Sequence, residues 1–320
     1  RVHQRVGGIG ERVGFAEDRL ALVGDGQRQL PMRVGAPGSA HPERMARRSD
    51  QAHARRVHPH AGVDEFVVLG IEQPREAGLS PLHLLFPPPA EADALAAAGS
   101  MIRRGVQFHW RNAGYRSFDD FLATLTQPKR KKIRAERRKV GEAGVSLRRL
   151  AGREITAAHW DFFFVCYEAT YAAHDSTPYL SRGFFRRIAE RMPEQLLLVL
   201  AERAGRPIAA SLLVRDADRL YGRYWGAVEY LPCLHVETAY YQAIEAAIEL
   251  GLAVVEGGAQ GEHKMARGFL PEPTCSAHWL AEPAFADAVD RFLAREGLMI
   301  DGYLDELAEH SPFRTGATER

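Results

Sequence analysis

The stretch from Gln195 to Val228 constrains the fold more than any other. Three apolar runs, Leu196 to Ala201, Ile208 to Val214 and Leu220 to Trp225, are separated by short spacers that contain Gly205-Arg206-Pro207 and Asp216-Ala217-Asp218. Each run has the length of a strand and each spacer carries turn-forming residues, so the segment predicts a three-stranded antiparallel meander. A helical period follows over His235 to Leu250, with Val236, Tyr240, Ala243, Ile244, Ala247 and Ile248 on its apolar side and Gly251 at its end. Beyond it the sequence predicts a buried strand over Ala253 to Glu256, a short polar helix around Glu262 to Gly268, a strand through Ser276 to Leu280 and a long helix from Pro283 to about Ala308. Meander, helix, strand, helix, strand is the order of an α/β (α+β) domain with a mixed central sheet flanked by helices.

Upstream, helices are expected at Phe118 to Leu125, Pro128 to Ala143, from Thr156 through the aromatic run Trp160 to Tyr167, and at Arg182 to Arg191, with a strand over Val145 to Leu150. Pro81 to Phe86 reads as a strand closed by three prolines, and Glu91 to Ala98 as a helix. Val106 to Tyr115 reads as a strand that leaves one unit and enters the next. The first 65 residues contain one aromatic, Phe15, many Arg and His, and no sustained period of 2 or 3.6. They are expected to be an atypical segment, either translated out of frame or a genuine flexible extension, in a chain that begins at Arg1 and reads as a fragment. The expected division is 1–65, 66–115 as what remains of a first unit, and 116–320 as the main domain.

Composition excludes several classes. With 42 basic and 41 acidic residues the net charge is +1, so attraction to a polyanion has to come from a local patch. Cys166, Cys233 and Cys275 are widely spaced, which argues against a disulfide framework or a thiolate zinc site and suits a reduced, cytoplasmic setting. Apolar runs reach about six residues against the roughly 20 that span a bilayer, and the first residues show no secretory signal.

One such patch is the helix expected at 128–143. It carries Lys129, Arg130, Lys131, Lys132, Arg134, Arg137, Arg138 and Lys139, with Glu136 the lone acid among them. Such a helix commonly offers only a solvated face, yet its charge would attract tRNA or anionic headgroups. Gly257-Gly258-Ala259-Gln260-Gly261 follows a strand and leads into Glu262, His263, Lys264 and Arg267. Glycines let backbone amides approach an anion, and Lys264 and Arg267, three apart, share one side of a turn from which both could meet phosphate oxygens. A glycine-rich turn that merely reverses the chain is the plain alternative.

Glu237, Glu256, Glu262, His263 and His235 are the carboxylates and imidazoles near this loop that could act as base. Glu237, in the first turn of its helix, is equally suited to a capping role. A metal held by His235, Glu237, Glu262 and His263 is disfavoured because their spacing matches no zinc helix. Tyr224 and Trp225 end a central strand and either line a pocket or pack in the core.

The motifs His109-Trp110-Arg111, Arg223-Tyr224-Trp225-Gly226, His235-Val236-Glu237-Thr238-Ala239-Tyr240-Tyr241-Gln242 and Gly258-Ala259-Gln260-Gly261-Glu262-His263-Lys264 occur in the same order in a family of bacterial proteins. Over roughly residues 79 to 313 the chain resembles the Fem-like acyltransferases, whose tandem units have the acetyltransferase-like (GNAT) fold. The resemblance implies a GNAT-like acyltransferase domain that is the second unit of a tandem pair, the first being truncated or degenerate. It implies an N-acyltransferase that moves an acyl or aminoacyl group from acyl-CoA or aminoacyl-tRNA to a small-molecule or lipid-linked amine, without a metal. For such a transfer the catalytic candidates, read from the residues themselves, are Glu237, Glu262 and His263. The resemblance implies Lys264 as phosphate anchor, and the substrate contacts expected with it are Arg267, Gly258, Gln260, Gly261, Tyr224, Trp225, His235 and Tyr241. Lys129, Arg130, Lys132, Arg134 and Arg137 are the implied phosphate or tRNA patch. GNAT enzymes that use acetyl-CoA usually carry glycines between the fourth strand and the next helix, whereas Val228 to Leu234 has none, which favours aminoacyl-tRNA or another activated acyl donor. A non-catalytic GNAT-like module, or a nucleic-acid-binding module using the basic helix, is the alternative.

Overall fold

The computed structural model describes residues 81–258 and 261–314, apart from the side chain of Glu262. The atypical segment expected at 1–65 lies outside the described residues, as do 66–80. The described chain forms two compact units, Val106–Pro273 with 300–314, and 81–105 with Thr274–Met299.

In the smaller unit, β1 (Leu82–Leu85) pairs antiparallel with the end of the last strand, Leu82 facing Trp279 and Leu85 facing Ser276. Helix α1 (Pro89–Ala97) starts on a proline whose missing N–H costs a first helical turn nothing. It buries Leu95 against Ala277, Leu84 and Ile102.

The larger unit runs from within β2 (Met101–Arg111) through α2 (Phe118–Thr124), α3 (Gln127–Glu142), β3 (Val145–Ala151), α4 (Ala157–Ala172) and α5 (Arg182–Arg191). It continues through β4 (Leu196–Arg203), β5 (Arg206–Arg215) and β6 (Arg219–Ala227). Helix α6 combines Leu234–Val236, a π-helical stretch Glu237–Tyr241 and Gln242–Leu250, and is followed by β7 (Val254–Glu256) and a 3₁₀ turn Glu262–Arg267. Last come β8 (Leu270–Trp279) and α7 (Pro283–Glu309), of which Thr274–Trp279 and Pro283–Met299 belong to the smaller unit. The strands β3, β4, β5 and β6 pair antiparallel in sequence order, β7 joins β6 in parallel, and β2 joins β7 antiparallel. This mixed sheet, with a helix between its two parallel strands, is the GNAT-like architecture expected.

The unbroken apolar run of β4 is explained by burial on both faces, since alternate side chains of a strand point opposite ways. Leu197 and Val199 enter one core with α2, α3 and α6, while Leu196, Leu198 and Leu200 enter the other with the aromatics of α4 and α5. Gly226 lets β6 lie against α4, because a Cβ there would stand 2.1 Å from the Cys166 carbonyl oxygen.

Three elements differ from expectation. Strand β8 starts at Leu270, well before Ser276; Pro271 and Pro273 hide it, and β1 pairs only with Ser276–Trp279, so their missing N–H groups face no β1 acceptor. Strand β2 ends at Arg111 because the Asn112 side chain accepts the amides of Gly114 (3.1 Å) and Tyr115 (2.9 Å) in an Asx turn. Helix α6 is not uniformly α-helical. The Thr238 hydroxyl donates to the Leu234 carbonyl at 2.8 Å, taking an acceptor from the helical ladder where the π turn opens.

Candidate functional site

Strands β6 and β7 are paired only from Arg219–Val254 to Tyr221–Glu256. Strand β6 then continues along β5, while the chain leaving β7 follows β2. The Gly257 amide donates to the Phe108 carbonyl (2.8 Å) and the Phe108 amide donates to the Gly258 carbonyl (3.0 Å). A Cβ at Gly257 would lie 2.9 Å from that Phe108 oxygen, so only glycine allows this approach. The loop therefore departs from β6 where the two parallel strands part, and the start of α6 stands beside the gap.

The 3₁₀ turn then brings its side chains back over the loop. Lys264 is 5% exposed, and its ammonium donates to the Gly257 carbonyl and, at 3.5 Å, to the Gly258 carbonyl. The same nitrogen lies 5.9 Å from the centre of the Tyr240 ring. His263 Nε2 is 3.4 Å from the Tyr240 hydroxyl. Burial, reinforced by the cations Arg267, Lys264 and Lys132, holds the His263 pKa down to about 4. His235 packs edge-on between Trp225, at 4.7 Å, and Tyr240, at 5.2 Å, with burial and then His263, Lys264 and Arg267 lowering its pKa to about 3. Both imidazoles are neutral near pH 7, and burial raises the pKa of the Tyr240 phenol. Trp225, whose indole N–H donates to Thr238 Oγ1, completes a line from β6 to the loop.

The structure thus gathers Gly258, Trp225, His235, His263 and Lys264, and Gly261, at φ +105°, turns the chain beneath the His263 ring. Gln260 and the Glu262 side chain lie outside the described residues. Other candidates fall elsewhere. Tyr224 points to the opposite face of β6 from Trp225, as strand alternation requires, and its hydroxyl meets that of Tyr179 among the α4–α5 aromatics. Glu237 faces α3, whose Arg137 (3.2 Å) binds its carboxylate together with Gln242 of α6 (2.9 Å); burial, opposed by Arg137, raises its pKa. Lys264 and Arg267 diverge instead of sharing a face. Arg267 donates to Glu136 (2.8 Å), to the Tyr241 hydroxyl (3.1 Å) and to the His263 carbonyl (2.8 Å), and Tyr241 also donates to Glu136.

The basic helix splits in the same way. Arg137 turns inward to Glu245 (2.6 Å) and Glu237, with its guanidinium 4.7 Å above Phe118, and Arg134 pairs with Asp119 at 3.0 Å. Lys132 is exposed, while Lys129 and Arg130 are half-buried. Lys132 adds, after Arg267 and Lys264, to the positive field that lowers the His263 pKa. Sequence reasoning did not single out Tyr240, placed simply on an apolar helix side, or Glu136, whose signal was being the sole acid among so many cations. Among the described residues no cluster of three or more His, Cys, Asp or Glu side chains converges as metal ligands would, and no helix is long and apolar enough to cross a membrane.

No curated protein matches the chain significantly. Among solved structures it is similar to the C-terminal domain of a candidate lysylphosphatidylglycerol synthetase from Agrobacterium fabrum, at 12% identity and a TM-score of 0.55 over 72% of this chain and 77% of that one. It is also similar to L-PGS from Bacillus licheniformis, at 9% identity and a TM-score of 0.52 over 72% and 78%. At these identities the likeness is one of fold. The sequence profile of the FemAB-like proteins matches residues 53–315, beginning upstream of the His109-Trp110-Arg111 motif. That span covers most of the sequence, and the chain belongs to the FemAB-like family, described by its role in peptidoglycan biosynthesis and recognition.

Proposed function

We propose that this protein is a cytoplasmic N-acyltransferase that moves an aminoacyl or acyl group from an activated donor to an amine of a cell-wall precursor. The observation that carries this reading is the meeting of the Lys264 ammonium, the neutral His263 imidazole and the Tyr240 hydroxyl where β6 and β7 part. Lys264 anchors a phosphate of the donor or of a lipid-linked acceptor at the glycine loop. Neutral His263 can accept a proton as the amine nitrogen attacks the donor carbonyl carbon. The new C–N bond forms as the donor's C–O or C–S bond breaks, and the amine proton passes to the leaving oxygen or sulfur. A pKa of about 4 makes His263 a weak base that is always in its accepting form at neutral pH. In this reading 66–115 is what remains of a first unit and 116–320 carries the chemistry.

Aminoacyl-tRNA fits better than acyl-CoA as donor. The connection from β6 to α6 has no glycine, and its tight point is Cys233 at φ +66°. The exposed cations of α3, among them Lys132, whose charge is felt at His263, offer a track for a polyanion. The same cations favour a second reading, polyanion binding without transfer.

The test incubates the protein with labelled acetyl-CoA and, separately, with charged tRNA, each with an amine acceptor. Label is expected to leave the tRNA for the amine, and Lys264→Met is expected to reduce this about 100-fold, the scale of losing one charge-stabilising donor. Tight tRNA binding with no transfer from either donor would favour the second reading.

A further inference from the structure

We propose that Glu136 is a positioning residue for the transfer site, acting through Arg267 on the turn that carries His263 and Lys264; this rests on the acyltransferase reading above. Glu136 is the only acid between Lys129 and Lys139 on α3, and it is 8% exposed while the cations around it, apart from the inward-turned Arg137, face outward or sideways. Its two carboxylate oxygens are both used. One accepts from Arg267 Nη2 at 2.8 Å, and the other accepts from the hydroxyl of Tyr241, which is 0% exposed.

The guanidinium is engaged on three sides. Its Nε donates to the same Tyr241 hydroxyl at 3.1 Å, and its Nη1 donates to the backbone carbonyl of His263 at 2.8 Å. A chain of direct bonds thus runs from α3 to the peptide joining His263 to Lys264, with α6 contributing the tyrosine that touches both charges. Burying such a pair is a poor way to add stability, since apolar side chains of equal volume commonly serve as well or better. What a guanidinium bonded on three sides supplies is direction: donors held in one rigid plane fix where an attached backbone carbonyl can lie.

The turn needs that support from outside. Its own ties are short-range, Lys264 N–H to Gly261 O at 3.0 Å, Gly268 N–H to Met265 O at 2.9 Å and Phe269 N–H to Lys264 O at 3.2 Å, and it is bounded by glycines at φ +105° and +90°. Isolated 3₁₀ turns have poorer hydrogen-bond geometry than α-helices. Without the clamp, the spacing between Lys264, His263 and Tyr240 would be free to vary.

The experiment compares the full chain with Glu136→Gln and Tyr241→Phe by site-resolved amide exchange, together with kcat and KM for label transfer from charged tRNA. Glu136→Gln is expected to speed exchange at Lys264, Gly268 and Phe269 more than tenfold while β4 and β5 amides keep their rates. It should lower kcat about 100-fold, the scale of a 1 Å misplacement, with KM little changed, and Glu136→Asp should restore part of the loss. Tyr241→Phe, which removes only one oxygen, should show the same local pattern in milder form and serves if Glu136→Gln does not fold. Unchanged exchange in the turn, or equal acceleration in turn and strands, would overturn the proposal. If no form transfers label but the turn still loosens in Glu136→Gln, the clamp stands and the acyltransferase reading falls.

Discussion

Lys264 and Glu237 are both buried charged residues in the neighbourhood of α6, yet their surroundings assign them different work. The lysine ammonium is bent back onto the carbonyls of a loop that opens where two strands part, and two neutral imidazoles stand beside it. Replacing it by methionine keeps the stem, so kcat/KM for transfer should fall about 100-fold with a far smaller change in thermal midpoint. The glutamate is bonded to Arg137 and Gln242 on the side facing α3. Breaking one partner of a buried ion pair leaves the other charge uncompensated, typically at a cost of about 3 to 5 kcal/mol. Glu237→Gln is therefore expected to lower the denaturation midpoint clearly while transfer per folded molecule stays within a few-fold, and a loss of turnover at unchanged stability would make Glu237 a candidate base again.

Helix α3 shows how one element serves two purposes. Ile133 and Val140 are buried, Glu136 and Arg137 reach inward to α6 and the 3₁₀ turn, and the remaining cations face outward or sideways. Removing outward charge should leave the fold intact. In the triple variant Lys129→Ala, Lys131→Ala, Lys132→Ala, tRNA affinity should fall with a shallower dependence on salt, the slope of log K against log salt shrinking by about one for each phosphate that is no longer neutralised. An unchanged slope would remove α3 from the binding surface. The packing of β6 on α4 is a second element-scale constraint. Gly226→Ala places a methyl group against the Cys166 carbonyl and the Thr170 hydroxyl, 2.1 Å and 2.7 Å away, so helix or strand must shift. Overpacking of this severity should cost about 3 kcal/mol or more by chemical denaturation.

At the scale of the whole molecule, two histidines of the site, buried His235 and half-buried His263, link stability to pH. Both have folded pKa values below the unfolded value of about 6.5, at about 3 for His235 and about 4 for His263, so the unfolded chain binds the extra protons first. Stability is then fully present above about pH 6.5 and is lost as pH falls, each histidine contributing up to about 1.4 kcal/mol per pH unit until its folded pKa is reached. The thermal midpoint should be level from pH 7 to 8 and drop from pH 6.5 to 4, and His235→Asn should make that drop shallower. An identical acid slope in the variant would mean that other groups carry the linkage. Because the cluster draws on β6, α6 and the loop after β7, this proton linkage belongs to the assembled sheet.

The order of elements was legible in the sequence because it rests on local physics. Periods of 2 and 3.6, turn formers at 205–207 and 216–218 and the glycine at 251 act over a few residues. Local signals also brought attention to the loop from Gly257 to Lys264 and to the basic helix. They failed where a local signal was absent or pointed the wrong way: the prolines of β8 concealed a strand, and Thr238 opened a π turn in a helix of ordinary period. What only the tertiary structure decided is which side chains meet. Tyr224 and Trp225 adjoin in sequence but face opposite sides of β6, while Glu136 and Arg267 are 131 residues apart and share a bond. Partnership across such distances is set by the pairing of strands and the docking of α3 on α6, and no window of sequence contains it.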